Sequence, residues 1–347
     1  MTMHTTPDPL DQSVSRVGAP PADPVLAALA AEIPGFLATY GVTLAGVRVR
    51  ALRGGEENTN LRVTAQGYDL VLRFYRTTAA SEVPWELQLI DHLVGGGFPT
   101  ATVLRRQDGT QFGWLGGLPA ALFRFVLGKR PRPYALWAGA EVGRALGSLG
   151  NLTVGLKVAH ARSRTDLWRL HRLLRVARIT SSGDPDLPAL VEAVERTLEW
   201  VRRNSEQWAD LPRGAVHHDA HWDNVLFDDA RRLVALLDFD EAYEDYLITD
   251  AARLLRLWGP NRPGGGVMPS RALRLLQAYT GARPLTRIEQ RWLPEFVLLT
   301  SLADAADYVA TVLERAPASR PVAGSGSFAT YRRLVEDPQW RKALPSA

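Results

Sequence analysis

From Val25 to Tyr40 apolar residues recur at helical spacing, and the pattern predicts a helix. The period then changes. "VRVRAL" (47–52), "LRVTA" (61–65) and "YDLVLRFY" (68–75) alternate apolar and polar residues, divided by "RGGEENTN" (53–60) and a short turn at Gln66-Gly67. This alternation predicts an antiparallel meander. "SEVPWELQLIDHLVGGG" (81–97) reads as a helix stopped by Gly95–Gly97. "ATVLRR" (101–106), the turn "QDGT" (107–110) and "PAALFRFV" (119–126) carry further strand signals, and Gly128 to Pro133 reads as a linker. Beyond Pro133 the period is helical, with helices expected at 134–149, 165–178, 187–205, 246–258, 270–280, 286–314 and 328–342. The stretch 214–240 interrupts them with two short strands, and "GPNRPGGGVMPS" (259–270) reads as a loop. The expected architecture is α+β: a small antiparallel-sheet lobe over 25–127 and a large, mainly helical lobe over 128–347. Residues 1–24, rich in Pro, Asp, Ser and Thr, read as a disordered tail.

The polar interruption holds the chemistry. It begins "HHDAHWDNVLFDD" (217–229) and ends "LLDFDEA" (236–242). Val225-Leu226-Phe227 predicts one strand, Asp228–Arg232 a turn and Leu233–Leu237 a second strand. Antiparallel pairing places Asn224 beside Asp238, with opposed positions roughly 5 Å apart. A hard cation can bridge that separation, and Mg²⁺ takes oxygen ligands from one or two protein groups plus phosphates. Asp219 lies on the preceding loop. In kinases an H-x-D-x-x-x-x-N loop supplies a carboxylate that orients the acceptor hydroxyl and an Asn that binds metal, while the Asp of a D-F-x triplet binds the metal that bridges the phosphates. His217, Asp219 and Asn224 match the loop, and Asp238-Phe239-Asp240 matches the triplet.

These residues carry a resemblance. "VHHDAHWDNVLFDD…LVALLDFDEA…TDAARLL" resembles the aminoglycoside phosphotransferase/choline kinase superfamily of protein-kinase-like enzymes, from about residue 40 onward. It looks nearest to homoserine kinases of this fold through "DNVLF" and "GARPLTRIEQRWLP". The resemblance implies a two-lobed protein-kinase-like fold and the use of ATP and Mg²⁺. It implies that residues 54–60 cover the phosphates, with Gly55 in the turn and Asn58 and Asn60 as donors. It also implies that Arg73 stands where protein kinases carry Lys, that Glu86 is its partner, and that 122–126, around Arg124, form a hinge that meets adenine through backbone. Asp250 resembles an Asp that either accepts catalytic-loop amides or caps its own helix.

The acceptor is less defined. Asp240, Glu241, Glu244 and Asp245 follow the metal Asp closely, and in a cleft they favour a cationic substrate. An amino alcohol fits: homoserine, a choline-like compound, a hydroxylated amine or an aminoglycoside. Asp240, Glu244 and His221 are the candidate acceptor-site residues. Homoserine kinases of this fold carry an aromatic residue where Asp240 stands, which widens the acceptor range.

Composition narrows the alternatives. The chain of 347 residues has no cysteine, which excludes thiolate metal sites and a cysteine nucleophile. The N-terminus has no apolar signal core, and no stretch reads as an uncharged membrane span, so a cytoplasmic protein without a membrane partner is expected. In "RSRTDLWRLHRLLRVAR" (162–178), Leu170, Leu173, Leu174 and Ala177 form an apolar stripe, and Arg169, Arg172 and Arg175 read as a solvated face. Without aromatic platforms this is not a nucleic-acid surface. Two rivals remain: a silent kinase-like nucleotide-binding module, and a metallohydrolase built on His217, His218, His221 and Asp223. Against the second, no histidine follows His221.

Overall fold

Alternation of side chains across the pleat separates two faces of the first sheet. In the computed structural model, residues 29, 31–42, 46–52, 58–65, 67–157 and 165–344 are described. The expected tail (1–24), Gly55, Gln66 and the start of the basic segment lie outside the described residues. The chain divides into two compact units, one drawn from residues up to Asp91 and from Ala101–Val126, the other from His92–Thr100 and from Leu127 onward.

The first unit is built on a sheet of β1 (Arg48–Ala51), β2 (Asn58–Ala65), β3 (Tyr68–Tyr75), β4 (Phe112–Leu115) and β5 (Leu118–Arg124), in the order β1-β2-β3-β5-β4. The β1-β2-β3 meander is antiparallel, as the alternation predicts. Leu61 and Val63 of β2, Leu70, Leu72 and Phe74 of β3, and Leu122 of β5 share one core with Ile33, Phe36 and Leu37 of α1 (Ile33–Ala38). Period two therefore turns Asn60 and Arg73 to the opposite face, where they are direct partners in register. Helix α2 (Val83–Gly95) carries Glu86 in its first turn.

Two details differ from the sequence reading. β2 begins at Asn58, so Asn58 and Asn60 are strand residues and not turn residues. "ATVLRR" contributes only a bridge between Val103 and Phe123, while Phe112–Leu115 pairs with β5. The two-residue connection Gly116-Gly117, with φ of 58° and 77°, closes that hairpin. Only glycine adopts such a pair readily, so the turn signal was present beside a strand too short to stand out.

The second unit contains α3 (Leu136–Thr153), α4 (Asp166–Ile179), α5 (Leu187–Asn204), α6 (Ile248–Trp258), α7 (Pro269–Ala282), α8 (Arg287–Arg315) and α9 (Gly326–Glu336). The expected hairpin is present as β7 (Val225–Phe227) and β8 (Leu233–Leu236). Residues 128–133 are not a free linker: Lys129 exchanges backbone hydrogen bonds of 2.8 and 2.9 Å with Phe227, extending this ladder. A second ladder, β6 (Arg213–Val216) with β9 (Tyr243–Tyr246), escaped the sequence reading because both strands are short and their pairing is long-range. It leads the chain into the 217–224 loop on one side and into α6 on the other.

Helix α8 includes an 18-residue window of mean hydropathy 1.5, long and apolar enough to cross a membrane by length and composition alone. Within this fold 67% of the window is buried, and α8 packs against α4, α6 and α9.

The β6–β9 ladder depends on a close backbone approach. A Cβ on Gly214 falls 2.4 Å from the carbonyl oxygen of Thr153 and 2.7 Å from its carbon. Backbone cannot yield as a side chain can, so Gly214→Ala is expected to destabilise the protein by about 1–3 kcal/mol. Gly183→Ala, which meets nothing within 4 Å, should leave the urea midpoint close to that of the parent.

Candidate active site

The loop between β6 and β7 is held from below by Asp250. Its carboxylate accepts the amide N–H of His217 at 2.9 Å and of His218 at 3.0 Å. Asp250 lies in the first turn of α6 and is 3% exposed, so of its two expected roles the loop-holding one is realised. Burial pushes its carboxyl up to about 6, against the two amide bonds. His218 takes a left-handed backbone, φ 73°, uncommon for a residue with a Cβ.

The histidines are braces. The Nδ1 of His217 accepts from the Asp219 amide at 3.2 Å, so its proton resides on Nε2, 3.0 Å from the carbonyl oxygen of Leu237. Its ring packs on Phe239, with centroids 4.6 Å apart. The Nε2 of His218 reaches Asp166 at 3.1 Å. Burial lowers the His217 pKa to about 4. Burial, with Arg253 and Arg169 beside it, lowers that of His218 to about 3. Both are neutral at neutral pH and point away from each other. Among the described residues no group of three or more His, Cys, Asp or Glu is arranged around a metal. The histidine-cluster reading therefore has no geometric support.

Asp219 stands above this brace. Asn224, 9% exposed, donates its amide both to the Asp219 carbonyl oxygen at 2.9 Å and to its carboxylate Oδ2 at 3.0 Å. Both bonds use the Asn224 Nδ2. The Leu237 amide donates to the Asn224 backbone oxygen at 2.8 Å. Asn224 is thus opposed to Leu237, one position short of the expected Asp238. A residue on each strand precedes or follows the ladder, and the left-handed φ of 68° at Asp238 turns the chain just beyond it. Asn224 and Asp238 offer hard oxygen donors, a set that suits a Mg²⁺-class cation.

His221 is a neighbour of Asp219. Its Nδ1 accepts from the Asp223 amide at 3.0 Å, which puts its proton on Nε2, 3.4 Å from Asp219 Oδ2. Burial pushes the Asp219 carboxyl up to about 6; His221 opposes the rise, and Asp304, Asp238 and Glu241 add to it. Its side chain keeps 37% exposure, and solvent moderates the shift.

The acidic stretch is mostly committed elsewhere. Glu241 pairs with Arg169. Glu244 lies on β9 with its carboxylate 3.6 Å from Arg213. Asp245 accepts from Thr249 at 3.0 Å. Asp240 is half-buried beside the fully buried Phe239. The cation-attracting role expected of Glu244 therefore lacks support.

In the first unit, Arg73 donates to Glu86 at 3.1 Å and to Asn60 at 3.1 Å. The Glu86 side chain is fully buried and that of Arg73 is 11% exposed. The pair expected from the sequence forms, on the sheet face away from α1. Asn58 is buried at the start of β2. Arg124 ends β5 with its side chain exposed and its amide bonded to the Thr102 oxygen at 2.9 Å, so that amide serves the sheet.

One layer escaped the sequence reading. Arg169 is buried, paired with Glu241 and, at 3.0 Å, with Asp304; Arg172 pairs with Asp307 and Glu314. The expected solvated face holds only at Arg175. Residues three apart on a helix share a flank, and here that flank meets the acids of α8. Arg253 bridges Asp304 at 2.7 Å and Asp166. Burial alone would raise Asp166 and Asp304, but Arg253 and its neighbours hold both well below the usual carboxylate range.

A kinase-type Asp–Asn loop and Asp-Phe-Asp turn, with a separate antiparallel sheet whose Arg73 pairs with Glu86 of α2, define the protein-kinase-like class. Residues 48–288 match the sequence model of the phosphotransferase enzyme family. A homoserine kinase of Parvibaculum lavamentivorans is 34% identical over 271 residues, 76% of this chain and 80% of that protein. In fold, the chain is similar to a microcompartment-associated aminopropanol kinase (TM-score 0.66, 19% identity, 88% of this chain and 98% of that one). It is also similar to an amicoumacin kinase in complex with AMP-PNP and Ca²⁺ (TM-score 0.65, 15% identity, 84% and 88%). The chain belongs to the phosphotransferase enzyme family, and it is a small-molecule kinase with an alcohol group as acceptor.

The raised Asp219 value has a consequence for stability. The folded value, about 6, lies above the ordinary 3.8, so the ionised form is the disfavoured one in the fold. Asp219→Asn is expected to raise the thermal midpoint at about pH 8. The gain should shrink as pH falls through about 6 toward 3.8, where the parent is protonated too. A midpoint at alkaline pH equal to or below the parent's would show that the carboxylate is fully solvated.

Proposed function

We propose that the chain transfers the terminal phosphoryl group of ATP, bound with Mg²⁺, to the hydroxyl of a small amine-bearing alcohol, with homoserine the first candidate. The observation that carries this reading is the Asp219–Asn224 unit. The Asn224 amide holds the Asp219 carboxylate in place. Asp219 then orients the acceptor hydroxyl and takes its proton as the new bond forms. Asn224 and Asp238 hold the metal. When bound, Mg²⁺ supplies charge neutralisation at the phosphates. Arg73, fixed by Glu86 and Asn60, positions phosphate from the first unit, its guanidinium replacing the lysine ammonium of protein kinases. His221, with its Nε2 proton toward Asp219, keeps the carboxylate ionised and oriented. Phosphoryl transfer demands little beyond such positioning and neutralisation. Homoserine ranks first because the relatives of that name share 34% and 32% identity over most of their length, and an amino alcohol kinase shares the fold.

ADP formation should be followed with L-homoserine, 1-amino-2-propanol, ethanolamine, choline and an aminoglycoside. L-Homoserine is expected to give the highest kcat/KM, and no acceptor-dependent ADP with any of them would sink the reading. Asp219→Asn should keep nucleotide binding and lose about 10²–10⁴-fold in kcat. Because the ionised carboxylate is the working form, kcat/KM should fall as pH drops through about 6. A flat acid limb would remove Asp219 from the proton transfer.

A further inference from the structure

The residue before Asp219 is anchored twice. The backbone of His218 stands at φ 73°, with its amide bonded to Asp250 of α6 at 3.0 Å. Its side chain is 1% exposed and has an anchor of its own. The ring donates from Nε2 to Asp166 Oδ1 at 3.1 Å and packs on Tyr243, with ring centres 4.9 Å apart. Asp166 opens α4, 52 residues away in the chain. The cap of that helix is Thr165, whose hydroxyl accepts from the Trp168 amide at 3.2 Å. The Asp166 carboxylate instead serves His218 and Arg253. Arg253 is held in turn by Asp304 of α8 at 2.7 Å.

Stability alone does not call for this arrangement. A buried ionic group gains little over an apolar one of the same shape. Glycine takes a left-handed turn without strain, and a histidine there does not. Strain of this kind persists where the surroundings over-determine it, and it gathers where a backbone direction serves chemistry. The residue that leaves this turn is Asp219. Rotation about the His218 backbone swings Asp219, and a displacement of about 1 Å at a reacting group costs on the order of 10²-fold in rate.

We propose that His218 and Asp166 are positioning residues of the kinase reaction: their bond fixes the turn from which Asp219 leaves. The inference rests on the reading above in giving Asp219 the acceptor hydroxyl. Neither residue touches substrate. Each acts through Asp219, so losing their bond lowers turnover and leaves nucleotide binding alone.

The test compares His218→Gln with His218→Asn. Gln carries an amide nitrogen about as far out as the ring carries Nε2, and it reaches Asp166. Asn is too short to reach, but it adopts a left-handed backbone more readily. A role confined to easing the backbone therefore ranks Asn above Gln, and the anchor ranks Gln above Asn. Measured are kcat and KM with ATP and whichever of the five acceptors above gives the highest kcat/KM, ADP·Mg²⁺ binding by calorimetry, and the thermal midpoint. His218→Gln should stay within about fivefold of the parental kcat, while His218→Asn should lose about 10–100-fold with ADP binding within about twofold. Asp166→Ala, which leaves His218 in place and Arg253 its Asp304, should repeat the His218→Asn pattern and carries the test if His218→Asn does not fold. In an Asp219→Asn background either change should add no more than about twofold, because the group it positions is gone. A kcat for His218→Asn equal to or above that of His218→Gln, or a full further loss in the Asp219→Asn background, overturns the inference and leaves a structural role only. If Asp219→Asn abolishes turnover while His218→Asn and Asp166→Ala keep the parental kcat, the inference falls and the kinase reading stands. If Asp219→Asn itself keeps the parental kcat, or no acceptor yields ADP, the reading of Asp219 fails and the inference falls with it.

Discussion

A single carboxylate accepting two consecutive backbone amides organises this molecule. Asp250 meets the N–H groups of His217 and His218, and everything above it follows from that contact. The bonds hold His218 in a left-handed backbone that the chain would not keep unaided. They fix where Asp219 leaves the brace, and through Asn224 they fix the end of the β7–β8 hairpin. Buried acceptors of this kind are costly to strand, so the loop and α6 form or fail together.

Around this contact lies a buried ionic layer. Asp166, Glu241 and Asp304 meet Arg169, Arg253 and Arg256, and the members come from α4, the loop after β8, α6 and α8. Such a layer adds little to stability over an apolar core of the same shape. What it supplies here is register: it locks three helices to the loop after β8 and, through the His218–Asp166 bond, to the loop that carries Asp219.

The alternation of β2 and β3 was legible in the sequence, but the partnership of Asn60 and Arg73 across the ladder was not, because the strand begins earlier than the turn residues suggest. The helices of the second unit were legible from their period, and the hairpin from its turn. The β6–β9 ladder was not, since four-residue strands separated by a long stretch leave no local signature. Arg169 and Arg172 misled for a related reason. A basic helix flank looks the same whether it faces water or faces acids on a helix more than a hundred residues away, as α8 is. Glu241, Glu244 and Asp245 misled in the opposite sense: an acidic run suggests a cation site, but each of the three acids has a partner in the fold.

The sequence by itself determined the chemical inventory and its local order. Spacing set Asp219 before Asn224 and a hairpin between Asn224 and Asp238, because turn residues and strand period act over a few positions. The tertiary structure decided which of those groups are free to act. Burial made His217 and His218 neutral braces and raised the Asp219 carboxyl, and long-range packing paired Glu241 with Arg169. Desolvation and long-range pairing depend on what surrounds a group in three dimensions, and no spacing along the chain encodes them.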